Sequence, residues 1–393
     1  MRNRLFSVII LIIFFFAPSV FAEEIIYKIK GEEKYRLAEV KPEAIANFLR
    51  NPNIEKAERN IRRYALSAPN DIFYNYQWHL PEIKAAKAWS MEEGKKGVVV
   101  AVLDTGIAIG HPDLEEKIWQ NSDEIADNNI DDDNNGYIDD THGWDFINDN
   151  NNPKPDLTGD KTEIGLIHGT HVSGIIGASS DNSIGVAGVC QKCTVMPLQV
   201  LDDEGSGTIK AIHDAIYYAA DNGADVINLS FGSYGDSDAE NEAVQYAQDM
   251  GIVVVAAAGN DEKNLNKKPI YPACHEGVLG VGATNKNQKA AYFSNYGSDC
   301  VDVSAPGTYI FSTYYKNKSL GYDDYYGYME GTSMATPIVS GLAGLLKSYN
   351  EKLTRKNIMH YIKANADDAG LGDKMGTGII NAYQSLQEAK EEK

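Results

Sequence analysis

Three short stretches of this sequence carry side chains that together can make a nucleophile. Val100-Ala101-Val102-Leu103-Asp104-Thr105-Gly106 is an apolar run that ends on a carboxylate. His168-Gly169-Thr170-His171-Val172-Ser173-Gly174 sets a histidine at the start of a small-residue helical pattern. Gly331-Thr332-Ser333-Met334-Ala335-Thr336-Pro337 places a serine where a loop becomes a helix. A serine hydroxyl is a poor nucleophile at neutral pH, so it needs a base, and the base needs an orienting group. Asp104, His168 and Ser333 supply all three parts: carboxylate to fix the imidazole tautomer, imidazole to take and return the proton, hydroxyl to form an acyl intermediate. Each stretch alone has an ordinary structural reading; their joint occurrence is what predicts acyl transfer. A glycine-flanked serine in an α/β chain also suggests a lipase or esterase, but those run serine, acid, histidine. Only His360 follows Ser333, so that order is excluded.

Groups this far apart in the chain must be brought together by regular elements. Near-continuous apolar runs, the mark of strands buried on both faces, cover Gly97 to Asp104, Thr194 to Leu201, Asp225 to Ser230, Ile252 to Ala258 and Val278 to Thr284. Helical patterns cover His168 to Ala178, Thr208 to Asn222, Ala239 to Met250 and Ser333 to Tyr349. Strand–helix repetition predicts an α/β fold of three layers, a mostly parallel central sheet with helices on both faces. Sites in such sheets lie beyond the carboxyl ends of the strands; Asp104 ends one strand there and Asn260 follows another. The tail after Asn381 reads as a plain surface helix, and there are no internal repeats.

The front of the chain has a different character. Arg2 and Arg4 precede an apolar run, Leu5 to Phe16, and Val20-Phe21-Ala22 follows with small residues. That pattern predicts a signal peptide over residues 1–22; the run is short for a membrane span, which leaves an uncleaved anchor as the alternative. Export would put the four cysteines where disulfides persist. Cys190 and Cys193 read as a local structural disulfide, since they run straight into strand-like sequence, which leaves Cys274 to pair with Cys300. A redox pair or a four-cysteine zinc site is the alternative.

With 393 residues, 43% hydrophobic and 23% charged, the chain has the balance of an ordinary globular protein. Its net charge of -20 is uneven: residues 23–66 hold ten basic and eight acidic side chains, while residues 113–160 hold fifteen acidic and two basic. Such a surface argues against nucleic-acid binding. It repels itself unless a cation neutralises it, and calcium is the obvious one outside a cell. Asp131, Asp133 and Asn135, followed by Gly136, form the first half of a calcium loop. Position 12, usually Glu, is His142, so Asp139, Asp140 and the Tyr137 carbonyl are expected to complete it; a solvated acidic loop is the plainer reading.

From about Asp71 to Asn381 the sequence resembles the subtilisin-like serine proteases, the subtilases. All three motifs match the family pattern, in the family's order of Asp, His and Ser. The resemblance implies that His168 is the base and His171 its structural neighbour. It makes Asn260, in Ala256-Ala257-Ala258-Gly259-Asn260, the side-chain donor of an oxyanion hole shared with the backbone N–H of Ser333. Ser230-Phe231-Gly232 would pair with a peptide substrate as an added strand. Ala257, Ala258 and Gly259 would wall the pocket for the residue before the cut, with Ile270 at its base, which suggests an uncharged, apolar preference. A calcium site is implied at Asp113, Asn182 and the carbonyls of Ile184 and Val186, with Asp71 as a further ligand. These ions are expected to be structural, tying down long loops.

The acidic insertion, at about residues 119–150, partly accounts for the gap between Asp104 and His168, which is longer than in minimal subtilases. By resemblance, residues 23–66 are a propeptide that assists folding and covers the cleft until it is cut near Tyr64-Ala65-Leu66, leaving residues 67–393 as the catalytic domain. It is shorter than usual for the family. The expected protein is a secreted monomer, extracellular or periplasmic, free of membrane after signal cleavage, acting on proteins or peptides. The six tyrosines from Tyr314 to Tyr328 read as a packed hairpin leading to the nucleophile, with a recognition surface as the alternative. Two rivals remain: a non-catalytic calcium-binding relative, against which the intact triad and Asn260 argue, and a proprotein convertase, whose acidic pocket residues have no match here.

Overall fold

The strand over Val99–Asp104 is buried along its whole length, as its unbroken apolar run requires. It belongs to a computed structural model that describes residues 23–59, 68–155, 163–316, 324–370 and 372–390. The expected signal peptide and cut site lie outside the described residues. Two compact units divide the chain, the first ending at Ala65 and the second beginning at Leu66.

The first unit holds β1 (Glu23–Ile29), β2 (Arg36–Val40), α1 (Pro42–Leu49) and β3 (Ile54–Arg59). β1 is the middle strand, antiparallel to both neighbours. Its Tyr27 meets Phe48 of α1 edge-on at 5.1 Å. β2 was not expected: most of its residues are exposed, so it has no apolar rhythm to read.

The second unit contains, in chain order, α2 (His79–Glu82), α3 (Ala85–Trp89), β4 (Val99–Asp104), β5 (Trp144–Asp145), α4 (Glu163–Gly177), β6 (Thr194–Gln199), α5 (Ile209–Asp221) and β7 (Val226–Leu229). There follow α6 (Asp238–Asp249), β8 (Val253–Ala257), β9 (Leu279–Thr284), β10 (Val303–Pro306), β11 (Ile310–Thr313), β12 (Tyr326–Met329), α7 (Thr332–Tyr349), α8 (Arg355–Ala364) and α9 (Ala382–Ala389). Seven strands form one parallel sheet in the order β10-β9-β8-β7-β4-β6-β5. Side chains along each strand alternate between two cores. Val100 and Val102 pack with Val172 and Ile175 of α4 and with the apolar face of α7. Val99, Ala101 and Leu103 pack with Ile212 and Ile216 of α5 and Val244 of α6. The result is the three-layer α/β arrangement, helices on both faces of a parallel sheet.

The chain leaves β4 for β6 on one side and then crosses to β7 on the other, so β4 is where the strand order reverses. A crevice opens at such a switch point beyond the carboxyl ends of the strands. β11 and β12 pair antiparallel directly before α7, the hairpin expected of the tyrosine-rich stretch; Tyr325 and Tyr328 are exposed on it, and Tyr322 lies outside the described residues. Two expectations need correction. α4 begins at Glu163, so His168 sits in its second turn rather than at its start. α9 is no plain surface helix: Ala382, Leu386 and Ala389 are buried in the core around α7, and only its other face is polar.

Candidate active site

Asp104 ends β4 with its side chain fully buried, on the face covered by α4. Its Oδ1 accepts from its neighbour's backbone, Thr105 N–H at 2.7 Å, and from His168 Nδ1, also at 2.7 Å. That bond fixes the tautomer, leaving Nε2 of His168 as the free basic nitrogen. Burial pushes the His168 imidazolium down, but the charge and hydrogen bond of Asp104 outweigh it and leave the group above its ordinary value. His171, one turn on, is held by the Ile310 and Gly327 carbonyls through Nε2, and burial with the nearby His168 pushes it down to about 3. The two histidines of the motif therefore have opposite character, one an orientable base and one a neutral strut.

Ser333 is the second residue of α7, half-buried where its neighbours are fully buried. Its Oγ donates to the Ser230 carbonyl at 2.8 Å, and Ser230 Oγ donates back to the Ser333 carbonyl at 3.0 Å. Asn228 in turn donates to Ser230 Oγ at 2.9 Å, so the end of β7 clamps the start of α7. At this helix end Thr332 N–H goes to Asn260 and Met334 N–H to Gly331. The N–H of Ser333 has no partner among the described residues, so it points free at the positive end of an 18-residue helix.

Asn260, exposed three residues beyond β8, offers its carbonyl oxygen to both the N–H and the hydroxyl of Thr332, each at 2.9 Å. This fixes which end of the carboxamide faces outward: the amide nitrogen, which donates to nothing among the described residues. Thr332 was missed in the sequence because it reads as a helix residue; its position beside Ser333 was the available signal. Gly259 turns the chain here with φ +92°, and a Cβ on it would lie 2.6 Å from Asn295 and 2.8 Å from Ile270. Asn295 is a second omission: fully buried, it donates to the Ala258 carbonyl at 2.8 Å and accepts from the N–H groups of Asp261 and Lys263.

Ala257, Ala258 and Gly259 lead from β8 to Asn260, and buried Ile270 lies against Gly259 on one side and Gly232 on the other. Ser233 pairs in both directions with Tyr271, whereas nothing among the described residues pairs with the backbone of Phe231 or Gly232. A stretch of backbone without partners among the described residues thus lies beside Ser333, whose Oγ bonds the Ser230 carbonyl.

The expected cation ligands fall into two groups. Asp71 accepts from the N–H of Asp181 and Asn182, and Asp113 accepts from the Asn182 side chain at 2.7 Å and the Val186 N–H at 2.9 Å. Burial first, with the charge of Asp71 adding to it, pushes Asp113 up to about 6. Among the described residues, no backbone N–H reaches the carbonyls of Ile184 and Val186. Two crowded carboxylates and two free carbonyls fit a hard cation, with Asn182 turned to offer its oxygen. In the acidic insertion the carboxylates that converge are Glu124, Asp133 and Asp140, within 4.8 Å of one another. Glu124 was missed because it lies before the D-x-D-x-N-G frame. Asp131 and Asn135 shape the loop, Asp131 accepting from the N–H of Asn135 and Gly136. Asp139 is not brought into this group: its carboxylate accepts from the N–H of Asn128 and Asn129. His142 bonds the Trp119 carbonyl at 3.2 Å.

Cys190 is bonded to Cys193 and Cys274 to Cys300, which rules out a four-cysteine zinc site. Cys190 and Cys193 are wholly buried at the amino end of β6, the edge opposite the crevice, where no thiol partner can reach them.

His79 of α2 bears on stability. It is wholly buried, neither ring nitrogen has a partner among the described residues, and burial pushes it down to about 3. An unfolded chain binds that proton near pH 6.5, so stability is complete above that pH and is lost as pH falls from there toward 3. Between pH 7 and pH 4 the loss is about 3 kcal/mol. His79→Leu, in a Ser333→Ala background, should flatten the fall of Tm over that range; superimposable profiles would show that His79 is not held neutral.

An oriented imidazole, a serine at a helix N-terminus and a carboxamide beside it, all at one edge of a parallel sheet, define a serine hydrolase that acts through an acyl-enzyme. The sequence model of the subtilase family matches residues 95–378, and the chain belongs to that family. It is 38% identical over 321 residues to thermitase of Thermoactinomyces vulgaris, covering 81% of this chain and 99% of that one. A thermophilic serine proteinase of Bacillus sp. (strain AK1) is also 38% identical, over 88% of this chain and 76% of its own. Among solved structures, a protease from Pseudoalteromonas arctica superposes with a TM-score of 0.68 at 34% identity, over 82% of this chain and 100% of its own. The protein is a serine endopeptidase, and its substrates are proteins.

Proposed function

We propose that Asp104, His168 and Ser333 are the catalytic triad of a secreted endopeptidase made as a self-processing precursor. The observation that carries this reading is the buried Asp104–His168 bond at 2.7 Å on the same sheet edge as Ser333. The hydroxyl of Ser333 turns from the Ser230 carbonyl to Nε2 of His168 when substrate arrives; catalytic bonds in a free enzyme are often made only in the complex. His168 takes its proton as Ser333 attacks the scissile carbonyl. The Asn260 amide and the Ser333 N–H receive the oxyanion, His168 protonates the departing amine, and water repeats the sequence in reverse.

Phe231 and Gly232 bind the peptide as an added strand, and the apolar pocket around Ala257, Ala258, Gly259 and Ile270 takes the side chain before the cut. Residues 1–22 are the export signal, and 23–66 the propeptide; its +2 charge contrasts with the acidic remainder, and the first of the two compact units ends at Ala65, one residue short of its end. Calcium is structural, held at Asp71, Asp113, Asn182 and the Ile184 and Val186 carbonyls, and in the insertion by Glu124, Asp133 and Asp140 with Asp131, Asn135 and the Tyr137 carbonyl beside them. When bound it neutralises charge and slows unfolding; it takes no part in the chemistry. The mature enzyme works as a monomer outside the cytoplasm and does not bind nucleic acid. Among the described residues, no helix is long and apolar enough to cross a membrane.

A time course of purified precursor beside Ser333→Ala, with calcium or with a chelator, tests the whole reading. The wild type should clip itself near Leu66 and gain activity on a fluorescent peptide while the variant stays full length. Chelator should speed later loss of activity without preventing the first turnovers. If both proteins stay intact and inert while folded and calcium-loaded, the chain is a binding protein and the catalytic reading is wrong.

A further inference from the structure

β4 and β6 run parallel with Asp104 directly opposite Gln199. Side chains in register on parallel strands share a face, about 4.8 Å apart. That face is the one under α4: Val100 and Val102 of β4 and Val195 of β6 all pack there, in step with Asp104 and Gln199 respectively. Gln199 is as buried as the carboxylate, 1% exposed against 0%. It is enclosed by β5, which pairs with its backbone, and by the segment at Lys154 and Pro155, which crosses close to Gly106. A Cβ on Gly106 would lie 3.0 Å from the Gln199 side-chain oxygen, so the carboxamide reaches the turn that follows Asp104.

Among the described residues, two acceptors in this enclosed space lack donors: Oδ2 of Asp104 and the side-chain oxygen of Gln199. Oδ1 of Asp104 already takes both available N–H groups, from Thr105 and His168. Gln199 makes no side-chain hydrogen bond among the described residues, so nothing opposes a half-turn of its carboxamide. That half-turn puts a donor where an acceptor stands, in the space that also holds the undonated Oδ2 of Asp104.

We propose that Gln199 is a positioning residue for the catalytic base, its amide donating to Oδ2 of Asp104. With both carboxylate oxygens held, the Asp104 rotamer is fixed and so is the plane in which His168 sits. The carboxylate's charge is also partly satisfied, which tempers its hold on the imidazolium. Gln199 touches neither substrate nor reacting atoms; it acts through Asp104. The proposal rests on the triad reading above.

Gln199→Met keeps length and removes the donor. On a peptide substrate it should lower kcat about tenfold with KM unchanged. Because the carboxylate then stabilises the imidazolium more, the acid limb of kcat/KM should move to higher pH. The other titratable group packed beside His168, His171, stays neutral and adds no limb. In the Ser333→Ala background, the low-field proton resonance of the Asp104–His168 bond should shift or broaden. Gln199→Glu, which replaces the donor by a buried charge, should move the limb further in the same direction, and it serves if the Met variant does not fold. Wild-type kcat, acid limb and resonance in a Gln199→Met protein with only a lower Tm would reduce Gln199 to packing and overturn the proposal. If the wild type itself shows no low-field resonance and Asp104→Asn leaves activity intact, the triad reading falls, and this proposal with it.

Discussion

Ser333→Ala should lower kcat on a peptide substrate by about 10⁶, His168→Ala by a similar factor, and the double variant by no more than either; these are the magnitudes seen in subtilisin, a relative. The non-additivity follows from the geometry. A base with no nucleophile to deprotonate is worth nothing, and a hydroxyl with no base is left near its solution reactivity. Residual activity should remain, because Asn260 and the Ser333 N–H still stabilise the developing charge when water attacks. Asp104→Asn should cost less, about 10⁴, because it disturbs the tautomer and orientation of His168 without removing it.

The pH profile separates these roles. Burial lowers the His168 imidazolium and Asp104 raises it further than burial lowers it, so the base form is lost as pH falls through a value above 6.5. Asp104→Asn removes the raising cause and leaves burial, so the acid limb should move down. Kinetics on protein matured by an unrelated protease, afterwards removed, provide the check. More than about 1% of wild-type kcat in Ser333→Ala would mean that the nucleophile lies elsewhere.

What could be read in the sequence was whatever depends on local pattern. β4, β6, β7, β8 and β9 are buried on both faces, so each reads as a near-continuous apolar run. α5 shows its amphipathic rhythm and ends within a residue of the expected bounds, with Thr208 as its cap. β5, with two residues, and β10 and β11, with four each, escaped because, unlike four-residue β7, they do not stand in a longer apolar run. Such segments exist because a neighbour supplies their hydrogen bonds, which no local pattern records. α4 starts before His168 because Leu166 and Ile167 are buried in its first turns, packing that the small-residue pattern after His168 does not reveal.

The site was legible at residues whose type is demanded by chemistry, and illegible at those that merely hold them. Asp104, His168, Ser333 and Asn260 stand in distinctive stretches. Thr332, Asn295, Glu124 and Gln199 look like ordinary helix, loop or strand residues until tertiary contacts show what each one faces. The acidic insertion divides the same way. Asp133 and Asp140 converge with Glu124, but Asp139 spends its carboxylate on two backbone N–H groups, a choice set by loop conformation rather than by spacing.

Asn260→Ala should lower kcat by about 10²–10³ with KM nearly unchanged, the size of effect known for the corresponding loss in subtilisin. A ground-state carbonyl lies short of the position its oxygen takes once the carbon is tetrahedral, so a donor aimed at the latter acts on turnover and not on binding. Asn260 is suited to this because it is exposed on one side and anchored on the other: Thr332 fills both lone pairs of its oxygen, leaving the amide committed outward. The anchor makes a graded test possible. Thr332→Val keeps the shape and deletes the hydroxyl that joins the Gly259 N–H at 3.0 Å to the Asn260 oxygen at 2.9 Å, while the Thr332 N–H still holds on. Its kcat should fall about tenfold, and Thr332→Ser should restore most of that loss. Asn260→Ala also takes the acceptor from the N–H and hydroxyl of buried Thr332, so its Tm should fall, and kcat measured well below that Tm separates lost catalysis from lost fold. A fall in kcat/KM carried by KM instead would place Asn260 in substrate binding and leave the Ser333 N–H as the donor on which the oxyanion depends.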